Sequence, residues 1–352
     1  MRVLHAPGQI AGFGSLMARE LRGLGFEAES WSPAPDYLGW APDRVIDLSN
    51  ARGAARATVA ACRWLDFDDV LHLSFGRGFF PNLSDIGVLA NHCRTFVSFF
   101  GSDARLESLA REQCPTAKSK ASEAWVDAQL RALAVHPVIP IAHEHRLAVG
   151  LRRYFRTVLV CPVVIDLSLH QTTTPPARAR VRVAHAPTWP EGKGTQYVVD
   201  AVRSLFDAGL PVELDLIQGV SHEQCRTRMA DADIVVDQLL DGSPGAVTYE
   251  ALHSGRAVVV NTCRAYLDTL PGAPPPVHHA TPDTVRDVLR GLVLDGALRA
   301  TQGGPDWVRA HHDHRVQARV LAKLYRNEVF LPICGVRPLW PEVAEAAKEF
   351  AS

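Results

Sequence analysis

The chain has 352 residues, 47% of them hydrophobic and 21% charged, with a formal net charge of -1. That length predicts two domains of ordinary size, each able to bury its own core. The balanced charge excludes a polyanion-binding surface and a disordered chain, so no nucleic-acid partner is expected.

Short β-branched runs alternate with Ala- and Leu-rich stretches from the first residue onward. A strand is predicted over 1–6, a helix over 14–24 and a strand over 26–31. A strand over 70–75, a helix over 83–93 and a strand over 94–100 follow, the last stopping at the loop 101–105. This is the βαβ rhythm of a parallel sheet. A strand over 138–141 and a run over 158–166 lead to the polar, Pro-bearing segment 171–180, which reads as a hinge.

Beyond the hinge the rhythm restarts, with strands over 212–217, 234–237 and 257–261 and helices over 194–208 and 246–254. The Pro-rich stretch 271–276 reads as a rigid loop, followed by helices over 282–294, 316–325 and 341–350. The repeat Arg-Val-x-His-Ala-Pro opens both halves, at Arg2–Pro7 and at Arg182–Pro187. Two tandem α/β units are therefore expected, with ligands at the carboxyl ends of their strands. The expected domains are 1–165, 166–335 and a terminal helical segment, 336–352, packed back on the first.

Seven cysteines are scattered without a CxxC pair, and no apolar run approaches the roughly 20 residues needed to cross a bilayer. Reduced thiols, a cytoplasmic location and no transmembrane anchoring are the expectation. Gly12 and Gly14 follow the first strand, but Met17 stands where a dinucleotide fingerprint needs a third small residue. They read instead as a glycine-rich loop for close approach of a ligand. Residues 311–314, His-His-Asp-His, read as a surface helix face rather than a metal cluster, because consecutive histidines point in different directions.

Two segments of the second half carry chemistry. In the first, residues 232–255, a buried strand runs through Gly242 and Gly245 into a helix. The N–H groups of Ala246 to Thr248 would face outward there, with the positive end of the helix dipole behind them. A phosphate fits that geometry. Glu250, one turn inside, offers two acceptor oxygens to a vicinal diol, or else only solvates a helix face. The second segment contains Lys193 between Gly192 and Gly194, the only lysine between Lys120 and Lys323 in an arginine-biased chain. An ammonium there would stabilise charge building on a phosphate leaving group.

These segments, with Ala-Asp-Ile-Val-Val-Asp-Gln-Leu over 232–239 and Gly242-(x)7-Glu250, resemble the nucleotide-sugar domain of family 4 retaining glycosyltransferases. Gly101-Ser102-Asp103-Ala104-Arg105 resembles that family's acceptor-side loop, and residues 162–166 its linker between domains. The resemblance implies an α/β GT-B fold, with two Rossmann-like doubly wound domains facing a cleft. It implies a metal-independent hexosyltransferase that moves a sugar from a nucleoside diphosphate sugar, such as a UDP-sugar, to an acceptor hydroxyl.

Carried over, Lys193 and Glu250 would be catalytic. His185, Lys193, Gly194, Gly242, Gly245, Ala246, Val247 and Glu250 would bind the donor, and Gly12, Gly14, Ser102, Asp103 and Arg105 would line the acceptor side. No cofactor is implied beyond the co-substrate, and the acceptor would be a small molecule or lipid-linked, in specialised-metabolite or cell-envelope biosynthesis. Three positions depart from the pattern. Gly242 replaces its first glutamate, Pro187 and Thr188 stand where an arginine is usual, and Phe100 replaces a histidine. The first removes the expected contact to the transferred sugar, and the second leaves His185, or an arginine from elsewhere, to supplement Lys193. The alternative is a catalytically silent GT-B protein that binds a sugar nucleotide or a partner transferase.

Overall fold

In the computed structural model, which describes residues 1–8, 10–35, 39–300 and 303–350, the chain divides into two units. One comprises Met1–Leu106, Ala121–Val164 and His314–Ser352, and the other Glu107–Lys120 and Ile165–Asp313.

The first unit is built on β1 (Arg2–Ala6), β2 (Glu27–Ser32), β3 (Arg44–Val45), β4 (Val70–Ser74), β5 (Arg94–Phe99), β6 (Val138–Ala142) and β7 (Thr157–Val160). Together with the strand Gly335–Pro338, which adds to β7, they form a parallel sheet in the order β7-β6-β5-β4-β1-β2-β3. The order reverses between β1 and β4, which opens a crevice at their carboxyl ends.

Helix Phe13–Gly23 buries Phe13, Leu16, Met17 and Leu21 at helical spacing. The helices His314–Tyr325 and Trp340–Ala347 share its core through Val320, Leu321, Leu324, Val343 and Ala346. Burying each of these larger side chains contributes about 1.5–3 kcal/mol.

Residues 314–335 thus belong with the first unit, not with the second as their position after the Pro-rich loop implied. Their apolar stripe matches the core around helix Phe13–Gly23, a long-range pairing that periodicity does not encode. Residues 107–120 lie likewise in the second unit.

The second unit has β8 (Val181–His185), β9 (Val212–Leu216), β10 (Ile234–Val236), β11 (Ala257–Val260) and β12 (His278–His279). They are parallel in the order β12-β11-β10-β8-β9. Val183, Val198, Leu205, Ile234, Val236 and Leu289 fill the core between this sheet and its helices. The reversal here falls between β8 and β10. All seven cysteines are free thiols, and among the described residues no helix is long and apolar enough to cross a membrane.

Candidate functional site

The loops following β8 and β10 start side by side, because His185 pairs with Val236 in the register of the two strands. After β8, Pro190 opens the short helix Pro190–Lys193 and Gly194, at φ +80°, closes it. Only a residue at ease in left-handed backbone can turn there directly into helix Thr195–Asp207. Gly192 lies under the Trp189 ring, where a Cβ would come within 2.0 Å.

This turn delivers the Lys193 ammonium to Asp237, at 2.6 Å from Oδ1. Asp237 Oδ2 accepts the Gly245 N–H at 2.7 Å and the Thr248 hydroxyl at 2.9 Å. The Leu239 N–H donates to the Lys193 carbonyl at 3.0 Å. Asp237, to which the sequence alone gave no role, thereby ties both loops together. Burial pushes its carboxyl pKa up, but the Lys193 charge and the Gly245 and Thr248 donors outweigh that and hold it below the ordinary value.

Gly242 sits at φ +83°, and a Cβ there would lie 2.8 Å from Cys114 Sγ and 3.1 Å from Cys263 Cβ. The Thr116 hydroxyl donates to the Leu240 carbonyl at 2.9 Å, and the Cys263 N–H to the Gly242 carbonyl at 2.8 Å. Residues 107–120 therefore pack against the place from which a glutamate side chain would grow. Gly242→Glu is accordingly expected to lower stability by about 2–5 kcal/mol, from left-handed backbone and overpacking together, and not to restore a sugar contact. An unchanged denaturant midpoint would contradict this.

Helix Ala246–His253 begins at Gly245. The Gly245 N–H is taken by Asp237, and the Thr248 N–H turns back to the Gly245 carbonyl at 3.0 Å. Thr248 therefore does not offer the free donor that the sequence predicted. The amides of Ala246 and Val247 make no hydrogen bond with a described residue and remain at the helix's positive end.

Glu250, one turn on, accepts from His222 Nε2 at 3.0 Å, with His170 Nε2 3.9 Å from the same oxygen. Its carboxylate is mostly buried against these rings, so it does not merely solvate a helix face. His170 is lowered to about 4 by burial, against the pull of Glu250. The histidines are 80 and 28 residues from Glu250 along the chain, and no local pattern marks them.

His185 is fully buried. Its ring bridges the Val236 carbonyl at 2.8 Å and the Thr195 hydroxyl at 2.9 Å, and burial lowers its pKa to about 4. A neutral ring with both nitrogens occupied braces the strand ends. It cannot supplement the charge of Lys193, contrary to the sequence expectation.

In the first unit Gly12, at φ +72°, precedes helix Phe13–Gly23 and lies against Trp40, whose ring atoms are 2.3–2.5 Å from where a Cβ would be. Gly14 is inside that helix and buried, so the two glycines do not form an open loop. Asp103 turns back on its own loop, accepting the Phe100 N–H at 3.0 Å and the Gly101 N–H at 2.7 Å. Burial raises its carboxyl to about 6. Ser102 and Arg105 are half-buried on the same loop.

Beneath the strand ends, His72 and His143 share the Ser98 hydroxyl at 2.8 and 3.0 Å. His5 packs 5.0 Å from His72, ring to ring, and its nitrogens meet no hydrogen-bond partner among the described residues. In the second unit His311 stacks on Trp307 at 4.4 Å and His312 on Tyr249 at 3.7 Å. His312, Asp313 and His314 are buried, so this stretch is not the surface face its composition implied.

Four of these histidines set a pH dependence. Burial lowers His5 to about 3 and His143, His170 and His185 to about 4, from an ordinary value of 6.5. Between pH 6.5 and 4 the unfolded chain binds protons that the folded chain refuses, so stability is full above 6.5 and falls as pH drops. Asp103, raised to about 6, and Asp85, also raised by burial, work in the opposite direction, while the buried His72, lowered as well, adds to the histidine side. Each histidine is expected to cost on the order of 1–2 kcal/mol by pH 5. Equal guanidinium midpoints at pH 7.5 and pH 5 would contradict the assignment.

No family model matches the sequence, and no curated protein matches it. Solved structures do. Anabaena HepE in complex with UDP-glucose aligns with a TM-score of 0.64 at 13% identity, over 93% of this chain and 100% of that one. Sucrose-phosphate synthase from Thermosynechococcus elongatus aligns at 0.62 and 12% identity, over 93% and 98%. The fold is GT-B. A putative UDP-N-acetylglucosamine 2-epimerase from Listeria monocytogenes shares it at 0.56 and 11% identity, over 94% and 98%.

Proposed function

We propose that the protein is a retaining glycosyltransferase that binds a nucleoside diphosphate sugar at the β8/β10 crevice of its second unit. The observation that carries this reading is the pairing of a buried-stem cation with a helix N-terminus at the switch point. Lys193 is held 2.6 Å from Asp237, which itself anchors Gly245 at the start of helix Ala246–His253. The amides of Ala246 and Val247 and the Lys193 ammonium would meet the diphosphate, and Glu250 would accept from the ribose diol.

In the reaction the acceptor oxygen forms a bond to the anomeric carbon while the carbon–oxygen bond to the diphosphate breaks. The acceptor proton passes to the departing phosphate on the same sugar face. Electrostatic help to that leaving group is the main contribution of the chain, and we assign it to Lys193 and the two amides rather than to a metal ion. HepE was solved with UDP-glucose, so UDP-sugars are the first donors to test. The experiment is donor turnover followed by NMR of the product's anomeric proton. Retention supports the reading, and inversion would overturn its stereochemistry.

The crowding of Gly242 by Cys114 favours one second reading, a silent GT-B protein that binds a sugar nucleotide without splitting it. Measurable hydrolysis of a bound donor would dismiss it.

A further inference from the structure

The first unit holds a cavity of about 540 Å³ at its own switch point. Its walls come from Pro7 and Gly8 after β1, from residues 32–35 at the end of β2, from residues 75–83 after β4, and from one face of helix Glu123–Ala134. Phe75, Phe79, Phe80, Leu83 and Trp125 make the lining largely apolar and aromatic. None of these residues was singled out by sequence, and they are distinct from the loop 101–105.

The rim is built rather than incidental. Phe75 and Leu83 hold left-handed backbone at φ +62° and +59°, which side chains with a Cβ adopt at a cost that the surrounding packing must offset. The buried Asp85 carboxylate accepts the Phe79 N–H at 2.6 Å and the Phe80 N–H at 3.3 Å. It stands 2.5 Å from where a Cβ on Gly78 would be, so the loop is fixed before any ligand arrives. Arg77 lies 5.1 Å over the Phe75 ring, exposed, and makes no ion pair with a described residue.

The size falls within the range of small-molecule sites. Polar side chains are few among the described lining residues. Among these residues, the Ser32 hydroxyl is already spent on the Ala34 carbonyl at 2.9 Å, leaving Gln129 and Arg77 as the polar side chains free to meet a ligand. A saccharide, with a hydroxyl on nearly every carbon, would be poorly satisfied here.

We propose that this cavity takes the acceptor, and that the acceptor is a flat, largely apolar ring system bearing a hydroxyl and one acidic group, the latter met by Arg77. The acceptor role rests on the glycosyltransferase reading; the cavity's binding chemistry does not.

The test uses 8-anilinonaphthalene-1-sulfonate as an anionic aromatic probe and N-phenyl-1-naphthylamine as its neutral counterpart, by fluorescence titration of the full chain. One saturable site for each is expected. Trp125→Ala should weaken both about tenfold, and Trp125 is exposed enough (44%) for the fold to survive its loss. Arg77→Gln should weaken the sulfonate about three- to tenfold and leave the amine unchanged.

Absence of a saturable site, or binding unaffected by Trp125→Ala, would overturn the cavity assignment. Equal effects of Arg77→Gln on both probes would overturn the acidic group. A melting shift with UDP, measured alongside, separates the two readings. UDP binding without probe binding sinks the cavity alone. Probe binding without response to any nucleoside diphosphate sinks the acceptor role and keeps the site.

Discussion

Lys193→Met is expected to lower turnover by two to four orders of magnitude, and adding Asp237→Asn is expected to restore stability without restoring turnover. A single donor aimed at developing charge is worth about 10²–10³ in rate, and a full cation on a leaving group at least that. The single variant also leaves Asp237 buried and ionised without its counter-charge. Losing one partner of a buried pair costs about 3–5 kcal/mol, reduced here because Gly245 and Thr248 still donate to that carboxylate.

A loss of activity in Lys193→Met alone therefore confounds chemistry with folding, and the double variant separates them. Its amide oxygen keeps both remaining donors while the stranded charge is gone. Recovery of the guanidinium midpoint with kcat still depressed is the expected pair of results. Recovery of kcat in the double variant would assign Lys193 a structural role only.

Glu250→Gln is expected to weaken nucleoside diphosphate binding by about ten- to hundredfold, the worth of a hydrogen bond to a charged group. An analogue lacking both ribose hydroxyls should bind wild type and variant alike, since it cannot address the carboxylate. Titration calorimetry of both ligands on both proteins gives the answer in four measurements. Equal weakening of the two ligands would mean that Glu250 acts by holding His222, 3.0 Å away, and not by meeting the ribose.

The alternation of short apolar strands with helical stretches was enough to read two parallel α/β units, because both periodicities are local. The Gly242–Gly245 turn was also legible, since a helix start leaves residue-level marks. What escaped was everything that depends on distant pairing. Asp237 looks like the last residue of a buried strand until the turn at Gly194 brings Lys193 onto it. Gly242 reads as a missing glutamate until Cys114, 128 residues earlier, is seen packed against its Cα. The second His-Ala-Pro promised a ligand-facing histidine, but the strand ends needed a buried brace between the Val236 carbonyl and Thr195. The apolar stripe of His314–Tyr325 gave no sign of which unit it would join.

Melting the purified chain with UDP, GDP, ADP, dTDP and CDP, and with their common sugar conjugates, decides whether the second unit holds a nucleoside diphosphate. Ligand at about a hundred times its dissociation constant adds about 2.7 kcal/mol to the folded state. For units of this size that corresponds to roughly 5–10 °C in Tm. A shift of that order is expected for one base, much reduced in Glu250→Gln; no shift with any of the five nucleotides or their sugars would rule the nucleotide site out.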